Sequence, residues 1–311
     1  MSAQAVLFDV PGPRARRRQT LAGLAGILVV LATLGLVVWQ LREQLTWDKF
    51  QPFLDPVTWT AYVIPGLVGT LVAAGISVLL ATVLGFLLGL GRLSHLAVVR
   101  WVTSAVVEFF RSVPVLVMMV FAWAIYMFNG LFEGDTLPLM GVITGLTVYN
   151  ACVIAELLRA GVHGLPKGQR EAGLALGLTR GQTLTQILVP QAVTAMLPSL
   201  LSQLVVILKD TALGYMISYP ELLNRLGTLS SNKGNLIAAY VIGALIFIVI
   251  NYLLTTLAGT LQRRVRRRSA ARPEPVFGNL AAPPAHDTEL YTDTHHFETD
   301  DERDARLRTP R

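Results

Sequence analysis

Charged side chains are scarce in this chain. Asp, Glu, Lys and Arg make up 15% of its 311 residues, where a soluble domain carries about a quarter. A chain so poor in charge, 53% hydrophobic and of mean hydropathy +0.53, is excluded from the ordinary soluble class, provided its apolar residues are gathered rather than scattered. They are gathered: uncharged runs fill 19–41, 56–91, 112–132, 136–155, 181–208 and 236–262. Each reaches the ~20 residues needed to cross a bilayer core. Cysteine is nearly absent. Cys152 stands alone inside a run, which excludes an internal disulfide and a cysteine metal cluster and reads as a small packing residue. No Gly-Lys dipeptide occurs, so the chain lacks a nucleotide phosphate loop. HExxH, GxSxG and paired membrane aspartates are missing as well, which removes the usual intramembrane enzymes. The net charge of +6 is no nucleic-acid signal, because the basic residues collect at the ends of the apolar runs.

Six spans fit, over 20–41, 61–90, 102–128, 137–161, 194–219 and 236–262. Alternation gives one side Arg14, Arg16, Arg17, Arg18, Arg92, Arg100, Lys167, Arg170, Arg180 and the run RRVRRR from Arg263. The positive-inside bias predicts a multi-pass plasma-membrane protein with both termini cytoplasmic. The first run is long for a signal peptide and is followed by no small-residue cleavage site, so it reads as a retained span. Pro65 suggests that 56–65 lies at the outer interface. Gly85, Gly89 and Gly91 lie on or near one helix face and invite a close neighbour. The expected organisation is a segment 1–19, an added helix and outer loop 20–60, a transmembrane core 61–262 containing a cytoplasmic loop 163–192, and a polar tail 263–311. From about residue 269 the composition is too polar to bury a core. His295 and His296 in that tail match no closed metal site, and no metal is expected.

The loop KGQREAGLALGLTRGQTLTQILVPQAV, 167–193, is longer than a connection needs. QREAGLAL predicts two turns of helix, with Glu171 in the first turn and Ala172, Leu174, Ala175 and Leu178 giving a small apolar surface. Gly177 is placed to end the helix in the left-handed conformation. Thr179 and Gln182 form a capping-box pattern for a second helix that ends or bends at Pro190. Such a helix–turn–helix suits docking into a partner's groove; read locally, it equally suits an interfacial hairpin packed beneath the spans.

Glu171-Ala172-Gly173, then Gly177, Ile187 and Val189-Pro190 resemble the EAA signature of ATP-binding-cassette (ABC) importer permeases, with Gly173 and Val189 standing where the pattern has Ala and Leu. VEFFRSVPVLVMM, YNACVIAELLRAGVHGLPKGQ and LPSLLSQLVVILKDTALGYMI extend a resemblance to the polar amino acid permeases over about 60–260. The extra first span, with GLTVYN and KDTALGY, is most similar to the glutamate-importer branch. The resemblance implies an all-α polytopic fold, a five-helix permease core plus one added N-terminal transmembrane helix. It implies import of a polar amino acid, glutamate first, with glutamine, aspartate or a basic amino acid as alternatives. It implies a non-catalytic subunit without a cofactor of its own, whose loop residues Glu171, Ala172, Gly173 and Gly177 contact a cytoplasmic ATPase that binds ATP and Mg. Two ATPase copies are expected, with a second permease subunit (related or identical) and an extracellular or lipid-anchored binding protein.

Charges inside spans mark pathways or buried pairs. Glu108 and Arg111 share a face and read as a structural pair, as do Glu156 and Arg159. For an amino acid's ammonium and carboxylates the candidates are Asp210 for the first, Arg111 and Lys209 for the second, and Ser112 and Thr211 for added hydrogen bonds. Met118, Met119 and Met127 read as packing or lipid-facing residues. A gradient-driven carrier is the competing reading, and it would call for inverted halves with broken helices.

Overall fold

The computed structural model describes residues 12–270. The first segment's start and most of the polar tail, including His295 and His296, lie outside the described residues. Within them the chain is helical, and its elements follow the apolar runs. Helix α1 is Pro13–Gln40. Short turns Trp47–Phe50 and Gln51–Leu54 lead to α2, Pro56–Arg92. Helices α3, Ala97–Ser112, and α4, Val115–Phe128, follow. Next come α5, Thr136–His163, and the short α6, Lys167–Ala175. Helix α7 runs Arg180–Ile217, α8 is Leu222–Lys233 and α9 is Leu236–Ala270. Five of these helices are long and apolar enough to cross a membrane, and the α3–α4 pair supplies a sixth crossing if counted as one.

The helices differ from the sequence expectations at several points. The third span is not straight. Helices α3 and α4 meet at 99°, because Pro114 forces Val113 out of the helical region (φ −90°, ψ 129°). The stretch 56–65, expected at the outer interface, is helical and continuous with the rest of α2. Pro65 is accommodated by a π-turn over Trp59–Val63, which loosens the ladder where proline withholds its N–H. Pro190 follows the same rule after a π-turn at Thr183–Leu188, so the helix runs on through it. The last helix likewise continues beyond 262, to Ala270.

Helices α2 and α5 form the centre. A β-carbon on Gly85 would sit 2.7 Å from Cβ of Ile154, and one on Gly89 2.9 Å from Cδ2 of Leu158. The glycine face expected from the sequence thus packs on α5, while Gly91 meets Thr103 of α3. Met119 joins Ala73, Val142, Leu146 and Ile207 in the main apolar core. Cys152 is buried beside Val107 and Ala155. Helix α1, by contrast, buries none of its spanning window.

The end of the bundle away from α6 is closed by α8. Tyr219 Oη donates to the Gly69 carbonyl (2.8 Å), and the Leu222 amide donates to Thr70 Oγ1 (3.1 Å). Phe53 packs with Val63, Leu222, Leu226 and Leu229. Lys49 Nζ donates to the Gly234 carbonyl at 2.7 Å, a cation at the helix's C-terminal end. Glu221, wholly buried, accepts from the amides of Leu223 (2.8 Å) and Asn224 (2.7 Å). Burial pushes this carboxyl up to about 7, against the pull of the two amides. Its folded value lies above its ordinary 4.5, so the folded state keeps a proton that the unfolded chain releases. Stability therefore falls as pH rises from about 4.5 to about 7. Glu221→Gln is expected to flatten this dependence, raising Tm at pH 8 relative to pH 5 in detergent melts. An unchanged pH slope would refute the assignment.

Candidate functional site

Two regions carry chemistry: the elbow formed by α6 and the start of α7, and a cavity at the α3–α4 break.

The elbow is locked by its own residues. Leu178 N donates to the Gly173 carbonyl (3.2 Å) and Gly177 N to the Leu174 carbonyl (3.0 Å). This is a Schellman closure, with Gly177 at φ +82°. Thr179 then caps α7 reciprocally. Its Oγ1 accepts from Gln182 N (3.3 Å), and Gln182 Oε1 accepts from Thr179 N (2.9 Å). Gln191 Nε2 donates to Gln169 Oε1 at 2.9 Å, tying the two helices together. Gly173 is buried in the angle, where a β-carbon would lie 2.7 Å from Thr183 Cγ2. Its part is therefore to let α6 pack on α7, not to touch a partner. Glu171 and Ala172 are exposed, and Glu171 makes no ion pair among the described residues. Because α6 begins at Lys167, Glu171 lies in its second turn rather than its first. Leu176, which the pattern did not single out, stands at the tip, 80% exposed, with Leu174 beside it at 40%.

The cavity, about 380 Å³, is lined by Arg111, Ser112 and the Val113–Val115 break, by Tyr149 and Val153 of α5, and by Gln203, Val206 and Asp210 of α7. Its volume falls in the ~300–1,000 Å³ range of small-molecule sites. Irregular backbone at membrane depth is tolerated where it lines a cavity. Of the residues expected to meet a substrate, Arg111, Ser112 and Asp210 are brought together here. Lys209 and Thr211 are not. Lys209 is exposed on another face, since adjacent helical residues diverge. Thr211 is fully buried and donates to the Leu208 carbonyl (2.6 Å). Ser112 Oγ donates to the Glu108 carbonyl (2.8 Å) and so offers the cavity only its lone pairs. Tyr149 and Gln203 were not anticipated; their i, i+4 and i, i+7 spacings to Val153 and Asp210 were the available signal.

Behind Arg111 lies an ion network. Glu108 and Arg111 do not pair with each other, as their spacing suggested. Arg92 reaches across to Glu108 (3.2 Å) and Glu156 (2.6 Å), and Arg111 approaches Glu156 at 3.5 Å. Arg159 pairs with Glu156 at 2.6 Å, as expected. Glu156 is the hub. Arg92, read from the sequence as a loop charge, is the buried member, with its side chain 6% exposed.

The family described as binding-protein-dependent transport system inner membrane component matches residues 81–267. The glutamate transport system permease protein GluD of Corynebacterium glutamicum is 46% identical over 229 residues, covering 74% of this chain and 84% of that one. The glutamate/aspartate import permease protein GltK of Escherichia coli O6:H1 is 30% identical over 223 residues, covering 70% and 97%. Among solved structures, an amino acid ABC transporter superposes with TM-score 0.61 at 27% identity, covering 68% of this chain and 98% of its own. The MetNI methionine transporter, at 22% identity and TM-score 0.57, shares the fold. A locked elbow beside a helical bundle with a polar cavity, in a sequence this close to transport permeases, makes the chain a multi-pass member of the binding-protein-dependent transport system inner membrane component family.

Proposed function

We propose that the chain is the permease subunit of an ATP-driven importer of an acidic amino acid, with glutamate as the first substrate. The rigid elbow carries the reading. Coupling needs a contact that moves as one body with the transport helices, and α6 is joined to α7 by a capping box, a Schellman closure and the Gln169–Gln191 bond. With the basic span ends on its side of the membrane, the elbow faces the cytoplasm, as do both termini. There it seats on one of two ATPase copies, which bind ATP and Mg and do the hydrolysis. Glu171, Ala172, Leu174 and Leu176 form the contact, and Gly173 and Gly177 give it shape. A second permease subunit, related or identical, and an extracellular binding protein complete the importer.

Identity to GluD, named for glutamate transport, supports the substrate, and the cavity suits it. The Arg111 guanidinium can take a carboxylate and Asp210 the ammonium. ATP-dependent uptake of radiolabelled amino acids in vesicles of the assembled importer tests the reading, glutamate being the expected best substrate. In that assay Arg111→Ala is expected to lower glutamate uptake at least tenfold, about 1.4 kcal/mol, with ATPase association intact. Lys209→Ala, outside the cavity, is expected to leave uptake unchanged. The reverse pattern would move the site elsewhere.

A further inference from the structure

The cavity presents one amide, Gln203, and its orientation follows from what lies behind it. Asn150 on α5 is completely buried. Its Nδ2 donates to the Leu146 carbonyl at 2.8 Å. A carbonyl can only accept, so the other end of the Asn150 amide, Oδ1, is left to accept in turn. It does so from Gln203 Nε2 at 2.6 Å. Gln203 is therefore turned with its carbonyl oxygen away from α5, and that oxygen makes no hydrogen bond among the described residues. Gln203 and Asp210, seven residues apart on α7, both line the cavity, at a spacing that brings side chains to one helix face. Asp210 likewise has no side-chain partner among the described residues.

We propose that Asn150 is a positioning residue: through this one-way relay it fixes the Gln203 carbonyl toward the cavity, where with Asp210 it forms an acceptor pair for the ammonium of the bound amino acid. Arg111 lines the same cavity and serves the carboxylate. A free glutamine would present its NH₂ half the time, and that group repels an ammonium; the relay removes the wrong orientation. The inference rests on the reading of the cavity as the amino acid site.

The test uses the assembled permease–ATPase complex without nucleotide or binding protein. Radiolabelled L-glutamate is bound at equilibrium and competed by glutarate, which keeps both carboxylates and lacks the ammonium. The unmodified complex is expected to prefer glutamate. Asn150→Ala should weaken glutamate binding about fivefold, the order of one hydrogen bond, and leave glutarate unchanged, so that the preference shrinks. Asn150→Ser, whose hydroxyl can satisfy the Leu146 carbonyl within the helix but cannot reach Gln203, should do the same and keeps the test open if the alanine variant fails to assemble. In a Gln203→Leu background neither substitution should have a further effect, because Asn150 acts only through Gln203. Equal weakening of both ligands, or independent addition of the two substitutions, would reduce Asn150 to a packing residue and overturn the proposal. If Arg111→Ala and Asp210→Asn change the binding of neither ligand, the cavity reading itself fails. If those two matter and the glutamate-to-glutarate preference ignores Asn150, only the relay fails.

Discussion

Leu176→Asp is expected to abolish association with the ATPase while leaving insertion of the permease in the membrane unchanged. The side chain is 80% exposed, so the bundle loses nothing by the exchange. A leucine buried at an interface contributes about 1.5–3 kcal/mol. A carboxylate buried without a partner costs at least as much again. Together these exceed the ~2.7 kcal/mol that corresponds to a hundredfold loss of affinity. ATPase co-purification and ATP-driven uptake should both collapse. Gly177→Val reaches the same end by another route. At φ +82° a β-branched residue is strained by about 1–3 kcal/mol, although a β-carbon there meets no neighbouring atom. The tip re-forms with Leu176 displaced. Normal ATPase recovery with both variants would mean that the elbow is not the docking element.

Glu156→Ala is expected to be the most destabilising single change in the transmembrane core. The carboxylate faces Arg92, Arg111 and Arg159, at 2.6, 3.5 and 2.6 Å. Its removal leaves three guanidinium groups drawn together with only Glu108 to offset them. Breaking a buried pair by deleting one partner costs about 3–5 kcal/mol. Arg92 is the group that suffers, since it is buried between α2, α3 and α5 and cannot turn to water. Arg159→Ala removes an exposed partner and should cost under about 1 kcal/mol. Melting of the purified permease should separate the two variants by more than ten degrees or by outright loss of folding for Glu156→Ala; equal melting points would show that the network contributes little.

The spans were legible because uncharged length is nearly sufficient to define a membrane helix, and the elbow because capping and left-handed glycine leave marks at fixed local spacing. Gly177, Thr179 and Gln182 do what their positions implied. What was hidden depended on partners distant in sequence. Arg92 looked like one more basic residue at a span end until α3 and α5 brought Glu108 and Glu156 to it. Lys209 and Asp210 looked equivalent until α7's rotation turned one into the cavity and the other out. Pro65 was read as marking an interfacial stretch and Pro190 as an end or a bend, since a proline's missing N–H breaks a regular ladder; the π-turns beside them leave no mark in the local sequence. Gly173, expected at the partner's surface, instead faces Thr183 and Ile187. A small residue permits close approach and does not say by what.

The contact of Lys49 with the end of α8 sets a boundary of its own. The family match begins at residue 81, yet Phe53 fills the cluster under α8 and Lys49 holds its final turn. A truncation drawn at the start of that match would leave a hole in that cluster and a frayed lid over the bundle. The segment before α2 is thus part of the wall, and a piece that keeps the lid closed starts upstream of the family match.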